Sequence, residues 1–399
     1  MSESQTSKIA AAPEFCGSTS YWTETQIAQI TNASWPSPAV LGKMDAAPLI
    51  SSLALWDIWP VQNDAGDLAE IAGGSLWIIL SAPRSADPDE RHGVARLRLL
   101  FLKDSVWMDC GLLLPDGFSP GSREWSGSTR VDLTTKTVTL WFTAAGRRDE
   151  KTQDFEQRLF HATGVLDLSG PTPMVGEWSA LTQSIVNDGS LYADLARNQG
   201  IAGRIKGFRD PYWFRDPADG KGYLLFTGSK PTHTSRSDYD GVIGIASAND
   251  SDGVTNFSLL PPLIDADGVV NELERPHIFV HNGLYYLFWS SQRSVFSSVG
   301  KACPTGLYGM VSTSLFGPYE PINGSGLVLG NPPSEPRQAY AWQVLPSLDV
   351  VSFVDHWGLE GRDIAADSEA KQKQFGGTVA PVIKIALEGA KSRILTGSA

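Results

Sequence analysis

The chain has 399 residues, of which 42% are hydrophobic, 19% charged and 10% aromatic, enough apolar material for a sizeable core. A formal net charge of −12 with no Lys/Arg run argues against a nucleic-acid partner. No apolar stretch approaches the roughly 18 residues of a membrane-spanning helix, so no membrane partner is expected.

Residues 1–20 read as a polar leader, and residues 21–399 as one folded unit. The leader lacks the basic and long apolar regions of a cleavable signal peptide. The expectation is a cytoplasmic chain, or export by a route independent of such a peptide. Thr23 heads TETQIAQI (23–30) and could cap a short helix. After it the signal is mostly strand: 75–80, 96–102, 137–142, 223–228, 284–289, 306–312 and 350–355, rich in β-branched and aromatic residues. Between them, SLYADLARNQ (190–199) reads as one or two helical turns. The 39 Gly and 25 Pro, spread along the chain, favour tight turns between short strands. No βαβ alternation is present, so the class is all-β. Cys16, Cys110 and Cys303 form no CxxC motif and read as free thiols.

Polar or aromatic clusters beside turns fall at Asp57, Trp125, Asp210, Glu274 and Tyr340, roughly every 65–85 residues, about the length of a four-stranded propeller blade with its loops. Five such units fit the chain as a five-bladed β-propeller with a central funnel-shaped pocket. Spacing alone leaves this open against coincidence.

Several motifs can be set aside. GFSPG (117–121) matches Gly-x-Ser-x-Gly, but Pro120 follows the serine and has no N–H for an oxyanion hole, so it reads as a turn. The six His show no HExxH, and His277 and His281, if on a strand, lie about 13 Å apart. No metal or other cofactor is expected.

What remains are carboxylates flanked by aromatics and arginines. Asp57 lies between Trp56 and Trp59 in LWDIWP, Trp125 and Ser126 lie in SREWSGS, Arg209 precedes Asp210 in GFRDPYWF, and NELERPH carries Glu272, Glu274 and Arg275. Indoles that stack on a sugar ring, guanidinium groups that grip hydroxyls and two carboxyls near a glycosidic bond suit a glycoside substrate.

These residues stand in an ordered series: WDIWPVQ (56–62), RHGVARL (91–97), EWSGS (124–128), FRDP (208–211), ERPH (274–277), YYLF (285–288), LYGMVS (307–312), GPYEPINGSGLVLGNP (317–332) and the stretch from Ala339 to VVSFVD (350–355). The series resembles glycoside hydrolase family 68, the levansucrases and related bacterial fructosyltransferases, over roughly residues 50–385. The resemblance implies a five-bladed propeller and a retaining fructosyltransferase that acts on sucrose and passes fructose to small sugar acceptors or water. It implies Asp57 as nucleophile, Glu274 as general acid/base and Asp210 as transition-state stabiliser. Trp56 and Trp125 would wall the fructosyl subsite, and Ser126 would position Asp57. Arg209 and Arg275 would bind the glucosyl side, Glu272 would hold Arg275, and Tyr340 would sit near the acid/base. Glu274 should be kept protonated by burial and by the charges of Asp57 and Asp210.

The departures fall on the acceptor side. Gln292 stands where many relatives carry a basic residue, and Tyr340-Ala341-Trp342 replaces a common Tyr-Ser-His. Short products and free fructose are therefore expected to outweigh polymer. Asn271 stands where some members have a calcium-binding carboxylate, so no required metal is expected. An invertase-like β-fructofuranosidase is the main alternative. A glycan-binding propeller without activity and a hydrolase of another furanoside are lesser ones.

Overall fold

The computed structural model describes residues 17–30, 34–364 and 367–395. Among these residues five large antiparallel sheets follow one another along the chain, with a two-stranded hairpin, Gly200–Ile201 and Arg204–Ile205, between the second and third. Blade 1 is built from Leu53–Gln62, Ser75–Pro83, Arg96–Lys103 and Val106–Leu112, each strand pairing with the next. Blade 2 has Arg123–Asp132, Thr137–Ala145 and Gln157–Asp167, with the short Met174–Gly176 and Thr182–Gln183 on its outer edge. Blade 3 has Phe208–Arg215, Gly222–Ser229, Gly241–Ala248 and Phe257–Asp265. Blade 4 has Glu274–His281, Leu284–Ser291 and Gly306–Ser312, edged by Glu320–Pro321 and Leu327–Gly330. Blade 5 has Ala339–Val344 and Asp349–His356, then Phe375–Val379, Ile383–Glu388 and Lys391–Leu395.

The first strand of each blade packs on the first strand of the next, and that of blade 5 returns to that of blade 1. The result is a five-bladed β-propeller with these five strands around its axis. Blades 1 and 2 also share two parallel pairs, Val61 with Thr129 and Gln62 with Arg130.

Apolar faces between blades form the core. Trp22, Trp56, Trp59, Trp141, Trp213, Trp289 and Trp342 are almost wholly buried. Trp141 of blade 2 stacks on Trp213 of blade 3, with ring centres 5.6 Å apart and planes 6° from parallel. Polar bonds complete these joints: the Gln62 amide donates to the Trp213 carbonyl at 2.9 Å, and the Trp213 backbone N–H to the Ser128 hydroxyl at 2.9 Å.

All seven sequence-predicted strands are present, each extended by at most a few residues. Thr23 caps a helix over Glu24–Ile27, its hydroxyl and the Gln26 side chain forming a reciprocal capping box. Two expectations are corrected. Residues 190–199 form turns, not a helix: Tyr192, Ala193 and Leu195 are buried one by one, and the Asp194 carboxylate accepts from the Ala196 N–H at 3.0 Å, an Asx-type turn. The polar leader was drawn to residue 20, yet Thr19 donates to the Pro262 carbonyl at 2.8 Å and Ser20–Tyr21 pairs in parallel with the last strand of blade 3. Cys110 and Cys303 are free thiols, and Cys16 lies outside the described residues. Among the described residues no helix is long and apolar enough to cross a membrane.

Candidate active site

Every axial strand breaks register with its neighbour: between Trp56 and Trp59, Trp125 and Gly127, Arg209 and Tyr212, Glu274 and His277, and Tyr340 and Gln343. Such bulges insert a residue that the regular alternation cannot face to either side of the sheet. Four carry a non-glycine residue in the left-handed region: Asp57 (φ 50°), Asp210 (59°), Arg275 (51°) and Ala341 (54°). Each costs of order 1 kcal/mol or more of local strain, and such strain gathers at functional sites.

The bulges surround one cavity of about 560 Å³. It is lined by all eleven residues singled out from the sequence: Trp56, Asp57, Trp125, Ser126, Arg209, Asp210, Glu272, Glu274, Arg275, Gln292 and Tyr340. The size suits a small saccharide.

The Ser126 hydroxyl donates to Asp57 Oδ2 at 2.7 Å. Asp210 Oδ2 accepts from the Thr227 hydroxyl at 2.9 Å and from the Arg275 backbone N–H at 3.3 Å. Arg209 Nη2 donates to Glu272 at 2.8 Å and to Glu274 at 2.6 Å, while the Tyr340 hydroxyl donates to Glu274 Oε2. The Arg209 Nη1 group is buried without a hydrogen-bond partner.

Burial and charge set the protonation pattern. Burial pushes the Asp57 carboxyl above its usual range, opposed by Arg275 and the Ser126 bond. Burial lifts Asp210 to about 6 against Arg209, and the charges of Glu274 and Asp57 add to the lift. Glu272 and Glu274 titrate together. Burial drives Glu272 well up, and the charge of Glu274 adds to it. For Glu274, burial is outweighed by Arg209, Glu272 and Tyr340, which hold it below its usual range. The expected lift of Glu274 is thus corrected: Arg209 and Tyr340 both donate to Glu274 and hold it down, and it is Glu272 that burial raises.

Two other expectations change. Glu272 holds Arg209, not Arg275. Arg275 donates to the carbonyls of Ala341 and Ile58, both at 2.8 Å, and to Gln343 at 3.3 Å. Its guanidinium therefore ties blade 4 to blades 5 and 1, and these bonds compete with any grip on a sugar. Gln292 sits at the cavity edge before a single 3₁₀ turn, Arg293–Val295.

Sequence reasoning gave no role to Asp89, Arg91, His92, Arg337 or Asp355, which also line the cavity. The available signals were RHGVARL and the aspartate that ends VVSFVD. Among the described residues no group of three or more His, Cys, Asp or Glu is placed to hold a metal ion. The Asn271 amide is engaged by the Ile205 carbonyl at 2.8 Å and Glu272 Oε1 at 3.0 Å.

The profile of the levansucrase/invertase family, glycoside hydrolase family 68, matches residues 14–241 and 233–396. A levansucrase of Zymomonas mobilis is 35% identical over 363 residues, 85% of this chain and 81% of that protein. An extracellular sucrase of the same organism is 30% identical over 404 residues, 93% of this chain and 91% of that protein. The structure of inulosucrase from Halalkalicoccus jeotgali bound to kestose superposes with a TM-score of 0.85 at 33% identity, covering 94% of this chain and 95% of that one.

Proposed function

The chain belongs to glycoside hydrolase family 68, the levansucrase/invertase family, and on that premise we propose that it is a retaining fructosyltransferase acting on sucrose. The observation that carries the reading is the convergence of Asp57, Asp210 and Glu274, from the axial strands of blades 1, 3 and 4, on one cavity.

In this reading the Asp57 carboxylate attacks the anomeric carbon of the fructosyl unit, and the bond from that carbon to the glucosyl oxygen breaks. Glu274 delivers a proton to the departing oxygen, so glucose leaves neutral. The same carboxylate then removes a proton from the incoming hydroxyl, which displaces Asp57 and regenerates it. The Glu272–Glu274 pair holds the required proton at the start, and sucrose binding moves it to Glu274 as the glucosyl oxygen displaces the donors there. Asp210 hydrogen-bonds two fructosyl hydroxyls and stabilises the positive charge that develops on the ring. Trp56 and Trp125 wall that ring, and Ser126 aims Asp57. Arg209, which lines the cavity and holds Glu272 and Glu274, flanks the glucosyl side. No step needs a metal or an organic cofactor.

Short acceptors and water take the fructosyl group more often than a growing polymer, since Gln292 offers no cation to a second sugar. An invertase-like hydrolase is the second reading, favoured by that same residue and by the similarity to an extracellular sucrase.

Purified protein in concentrated sucrose, followed for glucose, fructose and oligosaccharides with Asp57→Ala as control, tests the proposal. Glucose in excess over fructose, absent in the mutant, is the expected result. Equal release establishes the hydrolase. No release of either sugar overturns the donor assignment.

A further inference from the structure

Beside the cavity, Pro88–Gly93 forms a 3₁₀ turn capped by the Asp87 side chain, which accepts from the Asp89 N–H at 3.0 Å. Arg91 projects from it with 6% of its surface exposed. Its Nη1 donates to the Pro88 carbonyl at 2.7 Å, and its Nη2 lies 3.8 Å from Asp355. Its guanidinium lies 5.5 Å from the Trp56 ring centre and 4.9 Å from that of Phe375. Its Nε is buried without a partner. A buried cation with one unmet donor and two ion pairs beyond hydrogen-bond length, to Asp355 and to Asp89 at 3.6 Å, is a poor device for stability alone.

The same turn holds the opposite wall: the Trp125 indole donates to the His92 carbonyl at 3.2 Å, and the His92 ring meets the Trp56 ring edge-on at 5.7 Å. From blade 5, Lys371 on the helix Ser368–Gln374 pairs with Asp89 at 2.6 Å and lies 3.7 Å from Asp87.

We propose that Arg91 is a positioning residue for the nucleophile: held in its turn and latched to blade 5, it fixes Trp56 and presents a positive charge to Asp57. The inference rests on the reading of Asp57 as nucleophile. Asp57 is bracketed in sequence by Trp56 and Ile58, so a shift of the Trp56 ring is a shift of the attacking carboxylate. The charged and titratable groups facing Asp57 are Arg275 and Glu274 from blade 4, Asp210 from blade 3 and Arg91 from its own blade, with His92 against Trp56. Those facing Arg91 are Asp89, Asp355 and Arg337. Arg91 thus helps Arg275 offset the cost of burying an ionised Asp57.

The test compares Arg91→Met and Arg91→Lys with the native protein on sucrose across pH, with melting curves recorded alongside. Arg91→Met is expected to lower kcat about 10–100-fold with little change in KM. It should also move the acid limb of kcat/KM upward by roughly half a pH unit, because one cation facing Asp57 is lost. Arg91→Lys should return the acid limb to its native place while recovering kcat only in part, since an ammonium cannot stack flat on Trp56. A folded Arg91→Met protein within threefold of native kcat, or slow but with an unmoved acid limb, overturns the proposal. If Arg91→Met does not fold, Lys371→Met decides: releasing the latch should lower kcat at least threefold, and an unchanged kcat is contrary. An active native protein, a dead Asp57→Ala protein and an unaffected Arg91→Met protein sink this inference alone. A native protein inert toward sucrose sinks the function with it.

Discussion

In the proposed mechanism Asp210 must be ionised to stabilise the transition state, yet burial raises it to about 6 from an ordinary 3.8. Two consequences follow at the residue scale. Activity should fall as pH drops through about 6, because Asp210 takes up a proton there and the raised Asp57 carboxyl, which faces it, titrates on the same acid limb. For stability the sign is reversed. A raised carboxyl binds its proton more tightly when folded, so its contribution is fully present below 3.8 and is lost as pH rises through about 6. Asp210→Asn should therefore stabilise the protein by roughly 1–3 kcal/mol at pH 7 while abolishing turnover. Paired melting curves at pH 4 and pH 7 check this: a gain at both, or at neither, contradicts it. The Glu272–Glu274 pair gives a second case. With Gln at 272 the shared proton has no second seat, and Glu274 is left under Arg209 and Tyr340 alone. The basic limb of kcat/KM should move to lower pH in Glu272→Gln, and a profile that keeps its native basic limb argues against the shared proton.

Among elements, the bulged axial strand is the unit that makes the site, and it is also the part of the fold that the sequence hid best. The seven strands legible from composition are all second or third strands of their blades, dense in Leu, Ile, Val, Tyr and Phe. The axial strands carry Asp57, Arg209, Asp210, Pro211, Glu274 and Arg275 at their bulges, residues that β-propensity counts against a strand. They read as chemistry without secondary structure, yet the chemistry and the strand are the same segment. Roles that depend on side-chain direction were beyond reach: nothing in NELERPH says that Glu272 turns toward Arg209 while Arg275 turns away to blades 5 and 1. The bulge in blade 2 depends on Gly127, where an added Cβ would lie 1.9 Å from the Trp141 carbonyl. Gly127→Ala should cost about 3 kcal/mol or more through forced displacement of that strand pair. Gly176→Ala, where a Cβ meets nothing within 4 Å, is the control. Equal melting temperatures for the two variants would contradict the argument.

Over the whole molecule, five recurring polar clusters announced five blades, and each of the five marker residues lies on an axial strand of a different blade. The spacing was legible because every blade contributes one bulged axial strand to the same cavity. How the ring closes was not, since among the described residues no outer strand is shared between the chain's two ends. Blade 5 meets blade 1 through long-range contacts: Arg84 donates to the Leu53 carbonyl at 3.0 Å and the Gly376 carbonyl at 2.6 Å, and Arg275 spans both axial strands. The closed ring is what brings Asp57 and Glu274, far apart in sequence, to one cavity. The central claim is that Asp57 becomes covalently fructosylated. Rapid acid quench of the protein during sucrose turnover, followed by intact-mass and peptide analysis, tests it most directly. The account predicts an adduct with the mass of one fructosyl residue on the peptide containing Asp57, missing in Asp57→Ala. Sucrose turnover by the native protein with no such adduct in the quenched sample would contradict it.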